Sequence, residues 1–173
     1  EHLMSSPEQI SALMSALGPV LQPLTVEGSE QGATWGVLIE EDLHVIVDFD
    51  QKRNLIILEC EVCALPDGEP SSHYEMMLNY NYLWAATGGT RLSISGPGGK
   101  VVQLRDIAAD GLDPSGFADM IAGFGEEARA WRDALTTPSN SPFNAFKKIT
   151  SDETEPTQLM PCARAASTVG RMM

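Results

Sequence analysis

Apolar residues recur at helical spacing in two stretches, one near residue 10 and one after residue 113. The first follows Ser6 and Gln9, whose spacing is that of a capping box at a helix start. Its apolar stripe runs from Ile10 to Leu17. The second opens at Asp113 and continues at intervals of three and four residues through Phe117, Ile121, Phe124, Ala128, Trp131 and Leu135. We predict an amphipathic helix in each stretch.

Short runs in which apolar and polar residues alternate lie between these two helices and predict strands. The first runs form an antiparallel meander, and the last two are joined by the turn sequence Gly96-Pro97-Gly98-Gly99. The predicted strands cover residues 21–26, 34–40, 43–50, 54–65, 90–95 and 100–105. The first of them is only a short candidate, so the meander proper has three strands.

A further helix over residues 73–86 separates the meander from the last two strands. Ser72 and Glu75 have the spacing of a second capping box, and Gly88-Gly89 ends the segment. The order is therefore α-β-β-β-α-β-β-α. We expect an α+β fold in which helices pack against a twisted antiparallel sheet.

The alternation also predicts which side of each strand faces the core. The uninterrupted apolar sets are Trp35, Val37 and Ile39, then Leu43, Val45, Val47 and Phe49, then Ile56, Leu58, Cys60 and Val62. The opposite face carries the aliphatic residues Leu38, Ile46, Leu55 and Ile57 among polar neighbours. Either a helix or the C-terminal extension covers these aliphatics, or they form a groove for a partner's strand or helix.

The helix over residues 73–86 has almost no polar face. Its apolar residues are Tyr74, Met76, Met77, Leu78, Tyr80, Tyr82, Leu83, Trp84 and Ala85. A helix that is apolar all round must be buried on two sides. Either a second copy of the chain covers one side through a two-fold interface, which we favour, or the helix is wrapped within one subunit.

Composition fits one globular domain of acidic character. The chain has 173 residues, 43% of them hydrophobic, and a net charge of -13. We expect a single domain over residues 1–138 and a Ser/Pro-rich extension over residues 139–173. The acidity opposes binding to nucleic acid or anionic lipid. It serves either solubility or a partner-facing role.

Sequence patterns of catalysis, metal binding or export are weak. Cys60 and Cys63 have CxxC spacing but fall inside a predicted strand, which would point the two thiols to opposite faces. The Gly-rich turn before Lys100 lacks the spacing of a phosphate-binding loop. We expect no enzyme activity, cofactor, metal or small-molecule substrate. No signal peptide or membrane span is visible, so we expect a cytoplasmic protein.

The central part of the chain resembles a known family. Asn81 and Leu83 precede Thr87-Gly88-Gly89, and the apolar segments 92–94 and 101–104 follow. Together with the first and last helices, these features resemble the class I effector chaperones of bacterial type III secretion, the Tir chaperone-like family. The resemblance covers roughly residues 6–135 and rests on the combination of motifs. It implies a homodimeric chaperone in the bacterial cytoplasm, in a setting of virulence or symbiosis.

The resemblance also implies a client and two surfaces. The client would be the N-terminal segment of a cognate effector, kept stable and secretion-competent by β-augmentation and helix-in-groove binding. The implied partner-binding residues are Leu13, Leu17, Leu38, Ile46, Leu55 and Ile57. The implied dimer-interface residues are Met77, Tyr80, Leu83, Trp84, Leu92 and Ile94. The alternative is a dimeric α+β protein-binding or regulatory module unrelated to secretion. In either case residues 139–173 could cover the groove when no client is bound.

Overall fold

The computed structural model describes residues 5–21, 25–28, 34–40, 42–65, 70–97 and 99–137. The C-terminal extension lies outside these residues. Nine elements follow one another along the chain. They are α1 (Pro7–Leu17), β1 (Thr25–Gly28), β2 (Thr34–Glu40), β3 (Leu43–Asp50), β4 (Leu55–Ala64), α2 (Pro70–Tyr82), β5 (Arg91–Ile94), β6 (Lys100–Ala108) and α3 (Pro114–Thr136).

The strands form one six-stranded sheet in the order β1-β2-β3-β4-β6-β5. Every neighbouring pair is antiparallel. The predicted α+β fold is confirmed. The observed order has one strand more than the predicted order. The segment predicted at residues 21–26 forms a strand at Thr25–Gly28, on the edge of the sheet, and Leu21 packs into the core.

All three helices lie on one side of the sheet. The predicted seam of α3 is confirmed, since its six residues are at most 2% exposed. Gln103 of β6 donates from Nε2 to the carbonyl oxygen of Phe124 at 2.9 Å, which fixes α3 over the centre of the sheet. Helix α1 packs on α3, and Tyr80 of α2 packs edge-on against Trp131 of α3 with ring centroids 4.9 Å apart. Within the described residues, the opposite side of the sheet has no covering helix.

The predicted faces of the strands agree with this arrangement. Leu43, Val45 and Val47 are completely buried, and Phe49 is 7% exposed. The apolar set of β4 from Ile56 to Val62 is at most 1% exposed. Alternation in these strands therefore correctly separates the helix-covered side of the sheet from the open side.

Two helix starts form as the sequence predicts. The backbone N–H of Ser6 donates to Gln9 Oε1 at 2.8 Å, and the Gln9 N–H donates to Ser6 Oγ at 3.3 Å. At the start of α3, Asp113 Oδ1 accepts from the Gly116 N–H at 3.0 Å. These side chains satisfy backbone donors that a helix start leaves free.

Both ends of α2 differ from the prediction. The helix begins at Pro70, so Ser72 lies within its first turn and is not the residue that caps it. The helix ends at Tyr82, and turns occupy residues 83–89. Hydrogen bonds from Leu83 to Tyr80 and from Ala86 to Leu83 span three residues, so they tighten the chain out of the α-helical path. Leu83 and Trp84 consequently lie in turns.

Two glycines of α3 should respond differently to substitution by alanine. A Cβ at Gly123 meets nothing within 4 Å, whereas a Cβ at Gly125 lies 3.0–3.2 Å from three carbons of Ile39 in β2. Gly123→Ala should raise the free energy of unfolding by about 1 kcal/mol through helix propensity. Gly125→Ala should gain clearly less or lose stability, because Ile39 must move. Chemical denaturation of both variants measures this, and equal gains would contradict the close packing of α3 on β2.

Candidate partner-binding surfaces

The uncovered side of the sheet carries an apolar patch. Cross-strand pairing places Ile46 of β3 opposite Glu59, and Glu59 opposite Leu104 of β6. We define the open sheet face by its partly exposed aliphatic residues Leu38, Ile46, Leu55, Ile57 and Leu104. Leu104 was missed by sequence reasoning because its strand was analysed as part of a hairpin and not as the neighbour of β4.

Polar and acidic side chains surround these aliphatics. Thr34 donates from Oγ1 to Asp48 Oδ1 at 2.6 Å, across the β2–β3 pair. Asp106 pairs with Arg91 at 2.9 Å. The open sheet face is therefore a mixed surface in which apolar side chains remain partly accessible between charges. Surfaces of this kind accept a partner's apolar side chains.

The side chain of Asn81 attaches helix α2 to the edge of the sheet. Asn81 donates from Nδ2 to the carbonyl oxygen of Leu92 at 2.9 Å, and its Oδ1 accepts from the Leu92 N–H at 2.8 Å. The amide thus satisfies both backbone groups of Leu92 on the outer edge of β5. An added strand would compete with Asn81 at this position of the edge.

A buried polar cluster holds α2 and the start of β5 to α3. Tyr80 donates its hydroxyl to Glu127 Oε1, and Thr90 donates to Glu127 Oε2 at 3.2 Å. Burial raises the pKa of the Glu127 carboxyl, although the hydrogen bond from Tyr80 and the nearby charge of Arg105 oppose this. Burial and the neighbouring Glu127 likewise raise the pKa of Tyr80. The cluster fixes the side of α2 that faces the chain's own core.

The other side of α2 exposes large apolar residues. Tyr74, Leu78 and Tyr82 are four residues apart and are 43%, 68% and 83% exposed. Such spacing places them on one helix face. Trp84, in the following turn, is 68% exposed. We define these four residues as the exposed α2 surface, and it confirms that α2 carries apolar residues on two sides.

The residues predicted for a dimer interface divide between core and surface. Met77, Tyr80 and Leu92 are at most 4% exposed and belong to the core of one subunit. Leu83 and Ile94 are partly exposed. Of the six, Trp84 has the largest accessible area, whereas Tyr74, Leu78 and Tyr82 were not predicted. The sequence pattern could not distinguish the buried apolar side of α2 from the exposed one. Contacts with Glu127 and Trp131 determine which side is buried, and these two residues lie far along the chain.

The residues predicted for partner binding divide in a similar way. Leu38, Ile46, Leu55 and Ile57 lie together on the open sheet face and are partly exposed. Leu13 of α1 is partly exposed on the helix side, where it packs against the core. Leu17 is completely buried in that core, so it has no surface to offer a partner. The open sheet face and α1 are therefore separate regions of the molecule and do not form one groove in the described residues.

The CxxC pair lies in β4, but not with strict alternation. Cys60 is completely buried, and Cys63 also packs against the core. A bulge between Glu61 and Cys63 in the pairing with β6 interrupts the alternation that predicted opposite faces. Burial raises the pKa of the Cys60 thiol to about 11, so the reactive thiolate is disfavoured at neutral pH.

Metal binding and membrane spanning find no support in the described residues. No group of three or more His, Cys, Asp or Glu side chains is placed to hold a metal ion there. None of the helices in those ranges has the length and apolar character needed to cross a bilayer.

Comparison with known proteins agrees with the fold. The chain matches the Tir chaperone protein (CesT) family over residues 30–132, which is more than half of its length. No curated protein matches it by sequence. The chain is similar in structure to a chain of the ExsC–ExsE complex, with 19% identity and a TM-score of 0.65, over 79% of this chain and 100% of that one.

Two further solved structures share the fold. A chain of the HopA1–SchA chaperone–effector complex is 18% identical with a TM-score of 0.58, over 72% of this chain and 94% of that one. A chain of the heterodimeric ExoU–SpcU complex from the type III secretion system of Pseudomonas aeruginosa is 18% identical with a TM-score of 0.51. That match covers 72% of this chain and 98% of the other.

The protein belongs to the Tir chaperone protein (CesT) family. The resemblance found in the sequence is thereby confirmed. Membership in a chaperone family favours a type III secretion chaperone over an unrelated binding or regulatory module.

The buried Glu127 carboxyl should give folding stability a measurable pH dependence. Its pKa is raised above the ordinary value of 4.5, so the folded chain binds a proton more tightly than the unfolded chain. The stability that this group contributes therefore falls as pH rises from about 4.5 towards its raised folded-state pKa. The melting temperature of the wild type minus that of Glu127→Gln should decrease across this range. Glu126→Gln, at the exposed neighbouring position, supplies the control for the removal of one carboxylate from α3. A Glu127→Gln difference that stays level or increases would contradict the assignment.

Proposed function

We propose that the chain escorts a secreted effector by binding its N-terminal segment and keeping that segment stable and secretion-competent. The open sheet face carries this proposal, because its aliphatic residues are accessible and no described helix covers them. A client segment of low order loses conformational entropy when it binds. Burial of Ile46, Ile57 and Leu104 against client side chains offsets that cost. The HopA1–SchA structure, which is a chaperone–effector complex, supports the same interpretation.

We propose that the chain acts as a homodimer through the exposed α2 surface. Large exposed aromatic and aliphatic side chains on one helix face are typical of an interface. A two-fold axis beside α2 would pack the same residues of two copies against each other. The hydrogen bonds to Glu127, and those between Asn81 and Leu92, hold α2 in place. The exposed α2 surface is therefore formed before association. This arrangement leaves the open sheet face of each subunit free for the client.

Binding alone accounts for this function, so we propose no catalytic step and no cofactor. The chaperone would work in the bacterial cytoplasm, where effectors await export. Added strands at the sheet edge remain part of the proposed binding mode, together with packing on the face. At the β5 edge, the Asn81 amide already bonds the N–H and the carbonyl oxygen of Leu92. The other edge strand, β1, is therefore favoured as the one that receives a client strand.

Charges placed on the exposed α2 surface should separate the subunits. Leu78→Glu and Trp84→Glu each bury a carboxylate in the proposed interface, and they should change the particle mass from twice the chain mass of 18.7 kDa to that of one chain. Light scattering after size exclusion measures this. Ala130→Glu, on the exposed side of α3, adds the same charge and should remain dimeric. A wild-type monomer, or dimers of both α2 variants, would contradict the proposed interface.

Charges placed on the open sheet face should abolish client binding and spare the fold. Leu38 and Ile57 are only partly buried, so the double change to Asp leaves the core intact. Affinity for the client recovered from the native bacterium should fall by at least about a hundredfold. The melting temperature and dimer mass serve as checks on folding. Ala130→Asp/Thr136→Asp adds the same charge on α3 and should bind normally. Full binding by the Leu38→Asp/Ile57→Asp variant would place the client elsewhere.

A further inference from the structure

Aliphatic and acidic side chains alternate on the open sheet face both along and across the strands. Strand pairing brings them into two adjacent rows that cross β3, β4 and β6. The rows are Asp48–Ile57–Asp106 and Ile46–Glu59–Leu104. Each aliphatic residue in the middle of the face therefore has a carboxylate as its cross-strand neighbour.

The chain's own cations neutralise the edge of this pattern but not its centre. Lys100 pairs with Glu61 at 2.5 Å and Arg91 pairs with Asp106, both towards β6 and β5. Asp48 is bonded by the neutral hydroxyl of Thr34. Within the described residues, neither Asp48 nor Glu59 has a cationic partner, and Glu59 is exposed. Two negative charges thus remain beside the aliphatics that a client would cover.

The backbone of this face restricts what can dock on it. The three strands of the two rows are interior strands of the sheet, so their N–H and C=O groups bond to neighbouring strands. A segment lying on the face must satisfy its own backbone groups, and a helix does so. A helix of about 14 residues is about 21 Å long. That length spans β2, β3, β4 and β6 at their spacing of about 4.8 Å.

We propose, resting on the escort function above, that the client segment on the open sheet face is an amphipathic helix with Lys or Arg flanking its apolar stripe. The stripe packs on Ile46, Ile57 and Leu104, while the flanking cations reach Glu59 and Asp48. An apolar helix with acidic flanks is rejected, since it would bring like charges together at the same positions. The acidic residues of this face thereby select the client and do more than keep the chain soluble.

The test uses the full chain and two synthetic peptide probes. Both peptides have about 18 residues and one Leu/Ile stripe at helical spacing. One peptide carries Lys at the flanking positions, and the other carries Glu. Fluorescence anisotropy should show the Lys peptide binding at least about tenfold more tightly than the Glu peptide. The preference should shrink between about 0.05 and 0.5 M salt, because exposed charges are screened.

A matched pair of charge reversals separates the local effect from the net charge of the chain. Glu59→Lys and Glu126→Lys alter the net charge equally, but Glu126 is exposed on α3, on the other side of the sheet. Glu59→Lys should weaken binding of the Lys peptide by roughly tenfold. Glu126→Lys should weaken it by less than about twofold. Equal effects of the two reversals, or equal binding of the two peptides, would overturn the proposal.

Two further outcomes separate this inference from its alternatives. Recovery of a client whose protected segment is acidic or uncharged would overturn the inference but leave the escort function standing. Absence of any client would count against the escort function itself, whichever peptide binds.

Discussion

The packing of α3 on one side of the sheet is the interaction on which the other features depend. Its seam buries Phe124 and Trp131, and hydrogen bonds at three of its residues fix its position. Gln103 bonds to it from β6, and Glu127 receives hydrogen bonds from α2 and from the residue before β5. At its far end, Arg132 donates to the Val62 carbonyl at 2.8 Å and to Asp42 at 2.7 Å. The contacts of α3 thus fix the positions of the sheet, of its β5 edge and of α2 relative to one another.

This one-sided packing also creates both surfaces. With every described helix on the α3 side, the other face of the sheet keeps its aliphatics partly accessible, and alternating carboxylates keep that face hydrated. The hydrogen bond from Tyr80 to Glu127 fixes one side of α2 against the core, so the other apolar side faces outward. A chaperone needs apolar surface that stays available without causing aggregation. Interleaved charge on the open sheet face and the proposed self-association through the exposed α2 surface meet that need in different ways.

Short-range patterns predicted much of this from the sequence. Alternation in β3 and β4 identified the open sheet face, and helical spacing identified the seam of α3, because those periods are local properties of the backbone. The outward side of α2 was not predicted. Met77 and Leu78 are adjacent and both apolar, and the choice between them depends on Glu127 and Trp131, roughly fifty residues away. Leu104 was missed for a similar reason, since only the β4–β6 pairing brings it beside Glu59.

The most direct test of the central claim is site-specific photo-crosslinking in the native bacterium. A photoreactive amino acid replaces Ile57 on the open sheet face or, as a control, Ala130 on the exposed side of α3. The account predicts that position 57 crosslinks to the N-terminal region of a secreted protein and that position 130 does not. Crosslinks from position 57 only to another copy of the chain, or client crosslinks of equal strength from both positions, would contradict the claim that the open sheet face binds the client.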